Sequence, residues 1–250
     1  MATSGITSPY QQGTDFASEL LLNRVMNGQQ EPESGKTITA ANRALASKFD
    51  ATSYTYGVLA ENAAVGKTIV DTTQNALTEL LDQVKSVGQN LTGLDGSTAQ
   101  SLAGVAVNAL DAILATESSA APGKKLLQSD TFPITIGEIP TNSSDIGTVD
   151  TLTVGGININ ASGLALDNLR TELVGIAGGT ITYDSARLAQ LTSKAQDQIM
   201  GAIAREGSRQ QILSNRYDLL NDLITSYHQA SDDAAKQLYA SDNTLLNIVS

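Results

Sequence analysis

The sequence predicts a mainly α-helical fold: a long antiparallel, coiled-coil-like rod from the N- and C-terminal arms, a third helix beside them, and a small β region at one tip. Three observations predict it. An apolar seam with alternating four- and three-residue spacing runs from Leu45 to Leu91, and a second runs from Ala195 to Leu238. Between about 119 and 160 the composition shifts to Thr, Ile, Val, Gly and Pro, as short strands require.

Residues 1–36 form a first segment with little packing potential. A short amphipathic helix is expected over 15–27 (Phe16, Leu20, Leu21, Val25, Met26), broken afterwards by NGQQEPESGK. The next segment, 37–118, is the N-terminal helical arm. From Ile38 to about Leu91 it holds no Pro, and its seam reads Leu45, Phe49, Thr52, Tyr56, Leu59, Ala63, Gly66, Val70, Thr73, Leu77, Leu80, Val84, Val87, Leu91. Thr52, Gly66 and Thr73 are its only residues that are neither apolar nor aromatic, and all are small. Gly66 reads as a point of close approach between helices. A heptad seam of this length needs an equally long partner. TGLDGS (92–97) is a turn, and a second helix over about 98–118 folds back with Leu102, Val105, Ala109, Leu110, Ile113 and Leu114 inward.

The β-rich insert occupies 119–182. TFPITIGEI alternates Phe132, Ile134 and Ile136, and TVDTLTVGG carries a second β-branched run. A short helix over 163–177 (Leu166, Leu169, Leu173, Ile176) ends at Gly178-Gly179. The C-terminal arm, 183–235, restarts with Asp184 or Ser185 as N-cap and runs on to about 240. Its seam passes through Ala195, Ile199, Ala202, Leu213, Leu220, Leu223 and Tyr227, interrupted by Glu206, Arg209 and Arg216. Glu206 and Arg209 lie one turn apart and are expected to pair as a polar layer fixing register. Residues 236–250 form a tail.

The balance of residue types bounds function. The 250 residues carry a net charge of −11, which disfavours nucleic acid and anionic membrane surfaces as partners. Aromatics make up 4%, with no Trp, so narrow helix seams suit this chain better than a deep core. There is no Cys, which removes disulfides, thiolate metal sites and a Cys nucleophile. No basic-then-apolar leader and no membrane-length apolar run appears.

Chemistry does not assemble. The triplets at Gly35-Lys36-Thr37 and Gly66-Lys67-Thr68 lack the leading glycine of a phosphate loop, since Gln30 and Glu61 stand there. The single histidine, His228, reads as a solvent-facing helix residue. Asp232-Asp233, and Asp150 near Asn158 and Asn160, lack calcium-loop spacing. No catalytic residue, cofactor or metal site is expected, and the chain reads as a non-enzyme.

The two arms resemble bacterial flagellin. In ANRALASKFDATSYTYGVLAENAAVGKTIVDTTQNALTELLDQVKSVGQNL, the residues Asn42, Arg43, Asn62, Thr73, Ala76, Leu77 and Glu79 fall where that family's N-terminal helical pattern expects them. In the second arm, Arg205, Gly207, Asn215, Arg216, Leu220 and Leu223 take the places of the family's C-terminal core helix. The extreme terminal helices of the family are curtailed in this chain, and the middle region is short. The resemblance implies a structural subunit that self-assembles into an extracellular bacterial surface filament (a flagellum), exported without a cleaved signal peptide. Its implied partners are copies of itself as a homopolymer, an export chaperone and a filament cap, with neither nucleic acid nor membrane insertion. A hook-filament junction protein of the same superfamily and a secreted adhesin or binding module are the alternatives. The seam candidates for folding and assembly are Leu77, Leu80, Val84, Leu220 and Leu223; the polar candidates are Arg43, Glu61, Arg205 and Arg216. Residues 1–36 and 236–250 are expected to be mobile in the monomer and ordered in the polymer.

Overall fold

A computed structural model of the chain describes residues 35–248 other than 92, 129, 140–147 and 156, with side-chain surroundings from 43 to 236 outside 138–150. The short helix expected at 15–27 and the side chains of the expected tail fall outside the described residues. The elements in order are α1 (Gly35–Asn90), α2 (Gly96–Leu114), β1 (Glu117–Ser118), β2 (Ala121–Lys125), β3 (Thr131–Ile139), β4 (Thr148–Gly155), α3 (Ala165–Ala177) and α4 (Ser185–Ile248). The fold is mainly helical with a small antiparallel β region. The chain divides into two units, residues 58–218 and residues 1–57 with 219–250.

Within the larger unit α1 and α4 pack antiparallel. Gly66 faces Leu213, Asp71 meets Gln210, Gln74 lies beside Gly207, and Gly88 faces Thr192, so sequence number rises along one helix as it falls along the other. At Gly66 an added Cβ would stand 3.1 Å from the Leu213 side chain, which is why the seam carries no side chain there. The seam's threonine is accommodated differently. Thr73 is fully buried and donates its hydroxyl to the Ile69 carbonyl at 2.7 Å, which satisfies the oxygen inside its own helix.

The main core joins Leu77, Leu80, Val84, Val87 and Leu91 of α1 to Leu188, Ala195, Ile199 and Ala202 of α4, with one face each of α2 and α3. Each fully buried Leu or Ile there contributes about 1.5–3 kcal/mol of transfer free energy. On α2 the inward face differs from the expected one. Ala99, Ala103, Ala106, Leu110, Ile113 and Leu114 are buried, whereas Leu102 is 38% and Val105 63% exposed. Along its first three turns alanines let the α2 backbone approach the core closely, and Leu102 and Val105 turn outward. The helix starts at Asp95, whose carboxylate accepts from the Ser97 and Thr98 amides, and stops at Leu114, short of the expected 118. Residues 117–118 go instead into β1, which pairs with β2 in a two-stranded ribbon that alternation does not reveal.

α3 buries Leu166, Leu169, Leu173 and Ile176, as expected, and ends at Gly178. Its N-cap, Leu164, offers no capping side chain. Gln198 of α4 satisfies this end instead, with its Oε1 accepting from the Leu166 amide at 2.9 Å while its Nε2 donates to the Ile159 carbonyl at 2.8 Å. Asp184 caps α4 by accepting from the Ala186 and Arg187 amides. α4 then runs past 235 to Ile248, so the boundary expected between arm and tail is not a break in the helix.

In the smaller unit the two seams also meet. Tyr227 packs its ring 5.9 Å from Phe49 and 5.5 Å from Tyr56, and the Ser231 hydroxyl lies 3.5 Å from the Ala46 carbonyl. His228, exposed as expected, has its Nε2 3.0 Å from the buried Ser53 hydroxyl.

Candidate functional site

The seam residues of α4 that break the apolar pattern are the place where the fold departs from a plain helix pair. Arg209 and Arg216 are one heptad apart, so they leave α4 on the same side. Both reach the hairpin formed by β3 and β4. In that hairpin Thr131 opposes Gly155 and Ile139 opposes Thr148, with a bulge at Ile136 where the register shifts. The bulge turns the Ile136 carbonyl to Arg216, whose Nε donates to it at 2.5 Å. Gly137 follows, and a Cβ there would overlap the Arg216 guanidinium. Arg209 donates from Nη1 to the Gly155 carbonyl at 3.0 Å and pairs with Glu206.

Beneath these contacts lies a second, smaller core of Ala63, Ile69 and Val70 from α1, Ile134 and Ile136 from β3, Val154 from β4 and Leu213 from α4, closed by Ala121 and Leu126. Glu206 is wholly buried, with one carboxylate oxygen on Arg209 and the other without a partner. Burial holds its pKa above the ordinary carboxylate range, outweighing the attraction and hydrogen bond from Arg209 and the weaker attraction from Arg205. The expected pair between Glu206 and Arg209 forms, but the arginines end on strand carbonyls. Sequence carried one signal for this, the heptad interval between two arginines on an otherwise apolar stripe.

The candidate residues separate by environment. Leu77, Leu80 and Val84 lie in the main core and Leu220 is buried in the smaller unit, with Leu223 half-buried. Arg43, Glu61 and Arg205 are exposed on their helices, and Arg216 is half-buried under the hairpin. Sequence reasoning passed over Glu172 of α3, which is 2% exposed and pairs with Arg187 at 2.8 Å. It also passed over Asp111 and Arg170, which join α2 to α3 through two hydrogen bonds of 2.6 and 2.8 Å. Glu172, Tyr183, Asp184 and Arg187 border an open recess of about 570 Å³ at the start of α4. Among the described residues no group of three His, Asp or Glu gathers to hold a metal ion, and no helix is long and apolar enough to cross a membrane.

No protein-family model matches the sequence, and no curated protein sequence does. Among solved structures, the fold is similar to that of a protein from Vibrio parahaemolyticus described provisionally as a flagellar hook-associated protein. The TM-score is 0.57 and the identity 12%, and the match covers 78% of this chain and 98% of that one. At that identity the likeness is one of fold.

Proposed function

We propose that this chain is a structural subunit of a bacterial flagellum, acting through helix packing and not through catalysis. One observation carries the reading. The chain folds two helices from its opposite arms into an antiparallel pair with a small β insert between them, and it shares this fold with the protein described provisionally as a flagellar hook-associated protein over nearly all of that protein's length. The sequence resemblance of both arms to flagellin supports it independently. In this reading copies of the chain are its main partners, met outside the cell, with an export chaperone and a filament cap as transient partners.

Two forms of the reading make different assemblies. As a filament subunit the chain polymerises without a fixed end point. As a hook-filament junction protein it makes a short zone of limited copy number. Electron microscopy of the purified full chain after salt-induced assembly tests both. Long filaments of uniform width support the first form, and short closed rings or stacks support the second. A chain that stays monomeric under every assembly condition, and is not found on flagella by immunogold labelling, defeats the proposal.

A further inference from the structure

Glu206 is buried beneath the point where β4 leaves the hairpin. One of its oxygens meets Arg209, and the same Arg209 nitrogen donates to the carbonyl of Gly155, the last residue of β4. Its other oxygen is enclosed with no donor. The groups around it are few. Arg209 and Arg205 are the cations of its own helix that act on it. From α1, Gln74 lies beside Gly207 and is uncharged, while Asp71 is engaged by Gln210 at 2.5 Å. Next to Gly155 in the hairpin are Phe132 and Val154, both uncharged; Asp130 just before β3 accepts the Lys125 amide at 2.9 Å. Among the described residues no hydrogen-bond donor reaches the enclosed oxygen.

We propose that the β3–β4 hairpin is a pH-sensitive flap on the α1–α4 pair, with the Glu206 proton setting how readily its Gly155 end lifts. The closed flap excludes water from a carboxylate that has one oxygen without a donor, so closure favours the neutral acid. The raised pKa of the closed form agrees with this. Lifting the Gly155 end admits water, and the carboxyl returns towards its ordinary value of 4.5.

The closed form holds its proton to higher pH than the lifted form, so by linkage closure gains as pH falls through the raised pKa towards 4.5. Below that value both forms are protonated and the gain levels off. Above the raised pKa the carboxylate is ionised and the flap lifts most readily. Each unit separating the two pKa values changes the opening equilibrium about tenfold. A surface element released above that pKa and held down below it would let a subunit present different faces in different surroundings.

Hydrogen exchange of the full chain, expressed as protection factors corrected for the intrinsic pH dependence, tests the flap. Protection of the hairpin amides, Val154 among them, should rise as pH falls from 7.5 to 4, while amides of α2 hold constant. Glu206→Gln keeps an acceptor for Arg209 and removes the titration. Its hairpin should be well protected at both pH values, with the slope gone. A flat wild-type profile overturns the proposal, and so does a slope that survives in Glu206→Gln. Should that variant fold poorly, a carboxyl-carbon NMR titration of the wild-type chain decides. A Glu206 midpoint above 4.5 that coincides with the rise in hairpin protection supports the flap, and a midpoint at or below 4.5, or one apart from that rise, sinks it.

Discussion

The two cores of the larger unit are built from the same two helices by different chemistry. Around Leu77, Leu80 and Val84 the contacts are aliphatic throughout, and α2 and α3 complete them with alanine and leucine faces. Around Ala63, Val70 and Leu213 the apolar cluster is thinner, and charged side chains of α4 complete it by binding carbonyls of β3 and β4. An aliphatic seam tolerates no charge but asks little of geometry beyond volume. A guanidinium on a strand carbonyl demands a bulge at Ile136 and a missing side chain at Gly137. The helical region therefore owes its strength to area and the hairpin region to direction.

Substitutions break or sharpen that contrast. Leu80 is wholly buried, so Leu80→Asp loses its apolar contacts and leaves a charge with no partner. A loss beyond about 4 kcal/mol is expected, enough to unfold a marginal chain by circular dichroism and urea titration. A cost no greater than that of hairpin substitutions would erase the distinction. In the hairpin, Arg216→Ala removes a charged hydrogen bond, and about 1.5–3 kcal/mol should be lost. Hydrogen exchange should confine that damage to β3 and β4 and leave α2 protected.

Next in size is overpacking of the alanine face. Ala103→Leu forces a larger side chain into a fully buried position and should cost about 1–3 kcal/mol, read as a lowered urea midpoint. Smaller still is the link between Asp111 and Arg170. The hydrogen bond from Arg170 holds the Asp111 carboxyl below its ordinary 3.8, against some loss of solvation. Its folded pKa is depressed, so its contribution is complete above 3.8 and is lost as pH falls through the lowered value. Both side chains are partly solvated, so Asp111→Asn should cost under about 1 kcal/mol at neutral pH and flatten the acid limb of a melting-temperature profile. Least of all is Val105→Lys on the outward face of α2, expected within about 0.5 kcal/mol of the parent by urea titration.

What could be read from the sequence divides along the same line. The α1 seam from Leu59 to Leu91 is buried at most of its positions and lines both cores, because a four-three spacing with one apolar face leaves no competing choice. The α3 leucines and the Asp184 cap were legible for the same reason. The inward face of α2 was not, because GSTAQSLAGVAVNALDAIL is apolar on more than one side. Size ordering pointed to Leu102 and Val105, while close packing selected Ala99, Ala103 and Ala106. The β1–β2 ribbon was invisible because a two-residue strand has no period. The arginines were read as register elements between helices, since sequence gives the side of α4 they leave from but not that a strand lies there. Glu172 was hidden among the leucines of α3, its partner Arg187 arriving from the far end of a loop.

Both the fold and the proposed role rest on the antiparallel pairing of α1 with α4. The chain has no cysteine, so introduced pairs report contact without background. A Cβ placed at Gly88 would stand 3.7 Å from the Thr192 Cβ, within disulfide range, whereas Gln210 lies beside Asp71, well along α1 from Gly88. Under mild oxidation, Gly88→Cys with Thr192→Cys should close an intrachain disulfide seen as a faster band on a non-reducing gel, and Gly88→Cys with Gln210→Cys should not. A disulfide in the second pair and none in the first would contradict the register, and bands only between chains would contradict the helix pair itself.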